Sequence, residues 1–188
     1  MIVADRSEDT LSDSEFVKVL DAMRRACAGR EYCAADILKK LQRYKLAGSD
    51  NTKVIASLKE DKFIDELRYA KAFVADKSRL SGWGRTKIIW ALKSKQINKE
   101  IIEKAVSILS ADDAREQLRK ILTGKLKTLP FNYGSSGLSD SYSGVEEFSA
   151  AECRKIREKQ RAKLIRFGLS RGFEYDMVLS VVNELLQN

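Results

Sequence analysis

The 188-residue chain is 44% hydrophobic and 33% charged, with 35 Lys and Arg against 27 Asp and Glu and a formal charge of +8. That balance argues against global disorder and for an anionic partner, whether nucleic acid, a membrane surface or an acidic protein patch. Histidine is absent, which removes the commonest general base and the commonest metal ligand. No CxxC pair, GxxxxGK[ST] loop or GxGxxG turn occurs, so no metal, cofactor or catalytic residue is expected. Cys27, Cys33 and Cys153 read as reduced thiols of a cytoplasmic protein, with Cys33 buried and inert. No apolar run is long enough to span a bilayer. The single proline, Pro130, favours long helices.

In chain order, residues 1–13 form an acidic, flexible leader. Phe16, Leu20, Met23 and Cys27 then make the apolar stripe of a first helix. "ILKKLQRYKL" (37–46) gives a second helix with Ile37 and Leu41 on one face. The four residues "AGSD" (47–50) lengthen the next loop, and Asn51 is placed as N-cap of a third helix. The second set opens with the stripe Leu67, Ala70 and Val74. It continues through a Gly82-Trp83-Gly84 turn into "IIWALKSKQI" (88–97), and Asn98 caps its last helix. The third set opens with Leu118, Ile121, Leu122 and Leu126. A mobile Gly/Ser/Tyr-rich loop (129–149) separates it from "LIRFGLSRGF" (164–173) and a final helix near 174–182.

The stretches 37–46, 88–97 and 164–173 align without a gap. Each begins on an aliphatic residue, carries bases, and ends on a large apolar residue. The expectation is an all-α fold: three tandem three-helix repeats, at 14–60, 61–110 and 111–188, stacked into an elongated, curved helical array. One such unit buries too little surface alone, so neighbours must stack. Gly168 departs from the pattern and weakens the third copy's second helix, since glycine costs about 1 kcal/mol there against alanine.

Charge is concentrated in two places. Lys77 to Lys99 holds seven bases and no acid, and residues 151–172 hold eight bases against Glu152 and Glu158. Stacked repeats would align both clusters along one ridge suited to a polyanion. Trp83 reads as either an exposed interface anchor or a plug between two helices; the plug is favoured. Its glycines supply the backbone angles of the turn. Trp90 and Tyr69 read as core or half-buried.

"DELRYAKAFVADKSRLSGWGRTKIIWALKSKQI" (65–97) resembles the characteristic stretch of the RecX family. Asp65, Glu66, Arg68, Tyr69, Ala70, Phe73 and Val74 match its leading helix. Gly82, Trp83, Gly84, Ile88, Leu92 and Ile97 match its turn and second helix. "RAKLIRFGLSRGFEYDMVLSVVNEL" (161–185) is similar to the family's C-terminal repeat. The resemblance implies a non-enzymatic, three-repeat regulator of the RecA recombinase in DNA repair and the SOS response. Such a protein binds the RecA–DNA filament and usually inhibits strand exchange, ATPase and coprotease activity. By charge and repeat position, Lys77, Arg79, Arg85, Lys87, Lys93, Lys95, Arg161, Lys163 and Arg166 are the expected filament- and DNA-binding residues. The partners expected are RecA and weakly held DNA, with no membrane, for a monomeric chain. Two rival readings are a helix-turn-helix-like direct DNA binder and a helical scaffold for another acidic protein. Against the first, "NKEIIEKAVSIL" (98–109) would read base edges poorly.

Overall fold

The computed structural model describes residues 12–129 and 149–187. The leader up to residue 11, and residues 130–148 of the expected loop, lie outside the described residues. Among the described residues there are nine α-helices, one short 3-10 turn and no strand, so the chain is all-α. The helices are α1 (Asp13–Gly29), α2 (Ala34–Leu41), α3 (Gly48–Glu60), α4 (Glu66–Arg79) and α5 (Arg85–Ser94). They continue as α6 (Lys99–Val106), α7 (Ala111–Lys127), α8 (Ala150–Ser170) and α9 (Tyr175–Gln187). The 3-10 turn, Gln42–Tyr44, follows α2 directly.

Local chemistry sets the helix starts. Ser12 with Glu15, and Ser149 with Glu152, form reciprocal capping boxes on α1 and α8. Ser110 Oγ accepts the Asp113 amide at the head of α7. Asn98 Oδ1 accepts the Glu100 amide at 2.9 Å, as its N-cap placement requires. Asn51 does not cap. The amides of Asp50 and Asn51 both bond to the Ala47 carbonyl, so α3 starts earlier and "GSD" forms its first turn instead of lengthening a loop.

The three aligned stretches share a backbone feature. Their ninth residues, Lys45, Gln96 and Gly172, all lie in the left-handed region, at φ 51°, 60° and 86°. Each second helix is thereby turned towards the next apolar residue, Leu46, Ile97 or Phe173. The first and fifth positions are buried in every copy: Ile37 and Leu41, Ile88 and Leu92, Leu164 and Gly168.

The chain divides into two compact units, one comprising Met1–Val74 with Ala91–Val106 and the other Ala75–Trp90 with Ser107–Asn188. In the first unit, α1 and α2 pack on α3 around Leu20, Met23, Ile37, Leu41, Val54 and Leu58. A half-buried polar cluster lies in the same unit. Asp36 accepts hydrogen bonds from Lys95 Nζ at 2.6 Å and from the Tyr69 hydroxyl at 3.1 Å. Burial works against the Asp36 carboxylate, but the Lys95 ammonium and the Cys33 and Tyr69 donors outweigh it and hold its pKa below the usual range. Burial pushes the Cys33 thiol pKa up, which suits an inert structural cysteine.

In the second unit, α7, α8 and α9 pack pairwise around Leu118, Leu122, Leu164, Val178, Val181 and Val182. Gly168 has a packing reason rather than a weakening role. A Cβ there would stand 2.9 Å from both methyls of Val178 on α9, so glycine permits the close crossing of α8 and α9. Glu184 of α9 pairs with both Arg115 and Arg119 of α7, closing the third side of this bundle.

Candidate functional site

The Gly82-Trp83-Gly84 turn ends α4 and starts α5. Gly82 sits at φ +60°, where a side chain is strained. Gly84 has a different reason to be glycine: a Cβ there would overlap the Gly172 carbonyl and come within 2.5 Å of the Phe173 nitrogen. The turn is docked against the α8–α9 connection of the same unit. The Gly84 amide donates to the Arg171 carbonyl at 2.8 Å, and the Thr86 amide to the Gly172 carbonyl at 3.1 Å. Lys87 Nζ reaches the Ser170 carbonyl at 3.1 Å, and Arg171 returns a bond to the Ser81 carbonyl at 3.0 Å. The amide just before α5 and that of Thr86 in its first turn, which has no intrahelical acceptor, are thus satisfied by backbone from residues more than eighty positions away.

Trp83 is half-buried, with the Lys77 and Lys87 ammonium groups 5.1 and 4.9 Å from its ring centroid. Its ring lies between cations of α4 and α5, as a plug does, and it also forms part of a cleft of about 450 Å³. Arg79, Arg85 and Lys120 line that cleft together with Ile108, Phe173 and Met177.

The nine expected binding residues fall into distinct environments. Arg79, Arg85, Lys93, Arg161, Lys163 and Arg166 are exposed. Lys77 and Lys87 lie over Trp83, and Lys87 is held further by Ser170. Lys95 is mostly buried and paired to Asp36, with its ammonium 5.6 Å from the Tyr69 ring centroid. Its charge serves the fold, because withdrawing it would leave a half-buried carboxylate without its counter-charge. Arg79, Arg85, Lys77 and Lys87 gather around the Trp83 turn, whereas Arg161, Lys163 and Arg166 lie on α8.

The first half of α8 adds cations outside that set. From Ala151 to Lys159 every residue but Ile156 is exposed, Arg154, Lys155, Arg157 and Lys159 among them. A helix cationic on all sides takes little from core packing and relies on its capping box and its partners. Trp90, expected to be at least half-buried, is 73% exposed. Ile88 and Leu92 occupy the buried face of α5, and Trp90 lies about 200° round the helix from Ile88, on the opposite side. Among the described residues no helix is long and apolar enough to cross a membrane.

These features define a class: an all-helical protein of short capped helices that presents exposed cations and an exposed indole. The family description "RecX, second three-helix domain" matches residues 65–106, the segment that holds both tryptophans and the Gly-Trp-Gly turn. Regulatory protein RecX of Clostridium botulinum (strain Alaska E43 / Type E3) is 30% identical over 184 residues, covering 93% of this chain and 76% of the relative. The protein of the same name from Prosthecochloris aestuarii is 26% identical over 178 residues, covering 95% of this chain and 100% of the relative. The crystal structure of RecX from Lactobacillus salivarius has the same fold, with a TM-score of 0.65 at 18% identity over 94% of this chain and 100% of that one. The chain belongs to the RecX family of regulatory proteins.

Proposed function

We propose that this protein binds the RecA nucleoprotein filament and restrains its recombinase, ATPase and coprotease activities in DNA repair and the SOS response. In this reading the chain is three tandem three-helix repeats, at 14–60, 61–110 and 111–188. It acts as a cytoplasmic monomer without cofactor or catalysis of its own, and it holds DNA weakly and without sequence preference. Membership of the RecX family supports the choice of partner. The observation that carries the mode of binding is the exposure of each of these cations: Lys93 in one unit, and Arg79, Arg85, Arg161, Lys163 and Arg166 in the other. Cations in these positions approach a phosphate backbone and displace its counterions, which makes binding salt-sensitive.

The test is the single-strand-dependent ATPase of the cognate RecA with this protein titrated in at low and raised salt. The expected result is substoichiometric suppression that weakens as salt rises. Unchanged turnover at every ratio, with filaments intact, would overturn the proposal and leave a scaffold for another acidic partner.

A further inference from the structure

Among the described residues Trp90 is the largest side chain left in water, at 73% exposure. Its surroundings decide what it can meet. Ile88 and Leu92 are buried, Ile89 is half-buried, and the exposed neighbours of Trp90 on α5 are Thr86, Lys93 and Ser94. On its own helix the ring is therefore flanked by hydroxyls and a cation, with no exposed apolar residue beside it. An anchor for a protein pocket normally comes with surrounding apolar surface that excludes water. An unpaired base needs less: a flat aromatic face and a nearby cation for its phosphate.

The sequence of α5 favours the same occupant: Lys77 to Lys99 contains no acid, and the acids that stand near this stretch, Asp113, Glu116 and Glu174 in the cleft with Arg85 and Asp36 paired to Lys95, belong to other elements. Lys93 follows Trp90 by three residues, so both lie on one side of the helix, about 60° apart. A duplex keeps its base faces stacked on one another, so a ring on a helix surface cannot reach them; a single strand offers them freely. We infer that Trp90 is a stacking platform for an unpaired nucleobase, with Lys93 meeting the adjoining phosphate. This deepens the proposed function, resting on it for the strand's biological source, and names the nucleic-acid contact within it.

The experiment uses the full chain and free oligodeoxythymidine, without recombinase. Of the two tryptophans, Trp83 is half-buried with Lys77 and Lys87 over its ring, so the quench of indole emission on titration should come from Trp90. The expected results are quenching by the single strand, little by a duplex, and loss of the quench in Trp90→Phe with most of the affinity kept. Trp90→Ala should weaken binding roughly 10- to 100-fold while leaving the salt slope unchanged, because stacking releases no ions. Lys93→Ala should lower that slope by about one contact. Since Trp90 is exposed, both Trp90 variants should melt like the parent, which separates lost stacking from lost fold. Equal affinity of Trp90→Ala and the parent for the single strand would overturn the inference. So would quenching by polyglutamate instead of DNA, which would point to an acidic protein. The filament reading is scored separately: ATPase suppression that survives Trp90→Ala with unchanged single-strand affinity rejects stacking alone. Trp90-dependent DNA binding with no effect on the ATPase rejects the filament alone.

Discussion

Replacing Gly84 with alanine probes the contact that joins the Gly-Trp-Gly turn to the α8–α9 connection. A methyl group at Gly84 meets the backbone of Gly172 and Phe173, so no rotamer change relieves it and one chain segment has to move. Overpacking of this kind costs about 1–3 kcal/mol. The same movement breaks one or both bonds from the Gly84 and Thr86 amides, at about 1 kcal/mol each. The sum is about 3 kcal/mol, which for a chain of this size is a fall in Tm of about 6–12 °C. Two controls bracket it. Gly82→Ala meets mainly the Ile121 methyl at 3.1 Å and carries left-handed strain, for about 1–2 kcal/mol. Gly124→Ala, with nothing near it on the exposed side of α7, should stabilise by about 0.5–1 kcal/mol. The assay is thermal and denaturant unfolding followed by circular dichroism, with amide exchange at Gly84 and Thr86 as the local readout. A Gly84→Ala protein within about 0.5 kcal/mol of the parent, with both amides still protected, refutes the reasoning.

Gly168→Ala should cost about 1–2 kcal/mol through its clash with Val178, and Val178→Ala should rescue part of that loss in the double variant, measured by denaturant unfolding. Lys95→Met keeps the stem but removes the ammonium from Asp36, and should destabilise by about 1–3 kcal/mol in the same assay. The Asp36 pKa is held below its ordinary value, so the stability it contributes is present above that value. It is lost as pH falls below the ordinary carboxylate value and through the folded one, and an acid titration of Asp36→Asn should lack this component. Charge reversal at Arg79, Lys93 and Lys163, all exposed, should leave Tm within about 2 °C. Binding to single-stranded DNA by the same triple variant should weaken and lose salt dependence, read by fluorescence anisotropy.

Much of the fold was legible because helical burial follows a local period. The pairs Ile37 and Leu41, and Ile88 and Leu92, identify the buried faces without any tertiary information. The exposure of Trp90 was legible too, since two residues beyond Ile88 is the far side of the helix, but the general tendency of aromatic residues to pack obscured it. The start of α3 was misread because Asn51 is a good capping residue, while the Ala47 carbonyl takes the first helical bonds without a side-chain cap. What sequence could not reveal is non-local. The meeting of Gly84 with Gly172, of Gly168 with Val178, and of Lys95 with Asp36 depends on which helix faces which. That is why Lys95 looked like surface charge and Gly168 like a weak point.

The measurement that tests the central claim most directly is the binding of this protein, labelled at the exposed Cys153, to preformed filaments of the cognate RecA on single-stranded DNA. Anisotropy is read beside that of the Arg79, Lys93 and Lys163 charge-reversal variant. The account predicts saturable binding by the parent that weakens with salt, and a marked loss in the variant. Filament binding that is absent, or equal in both proteins at every salt concentration, would contradict it.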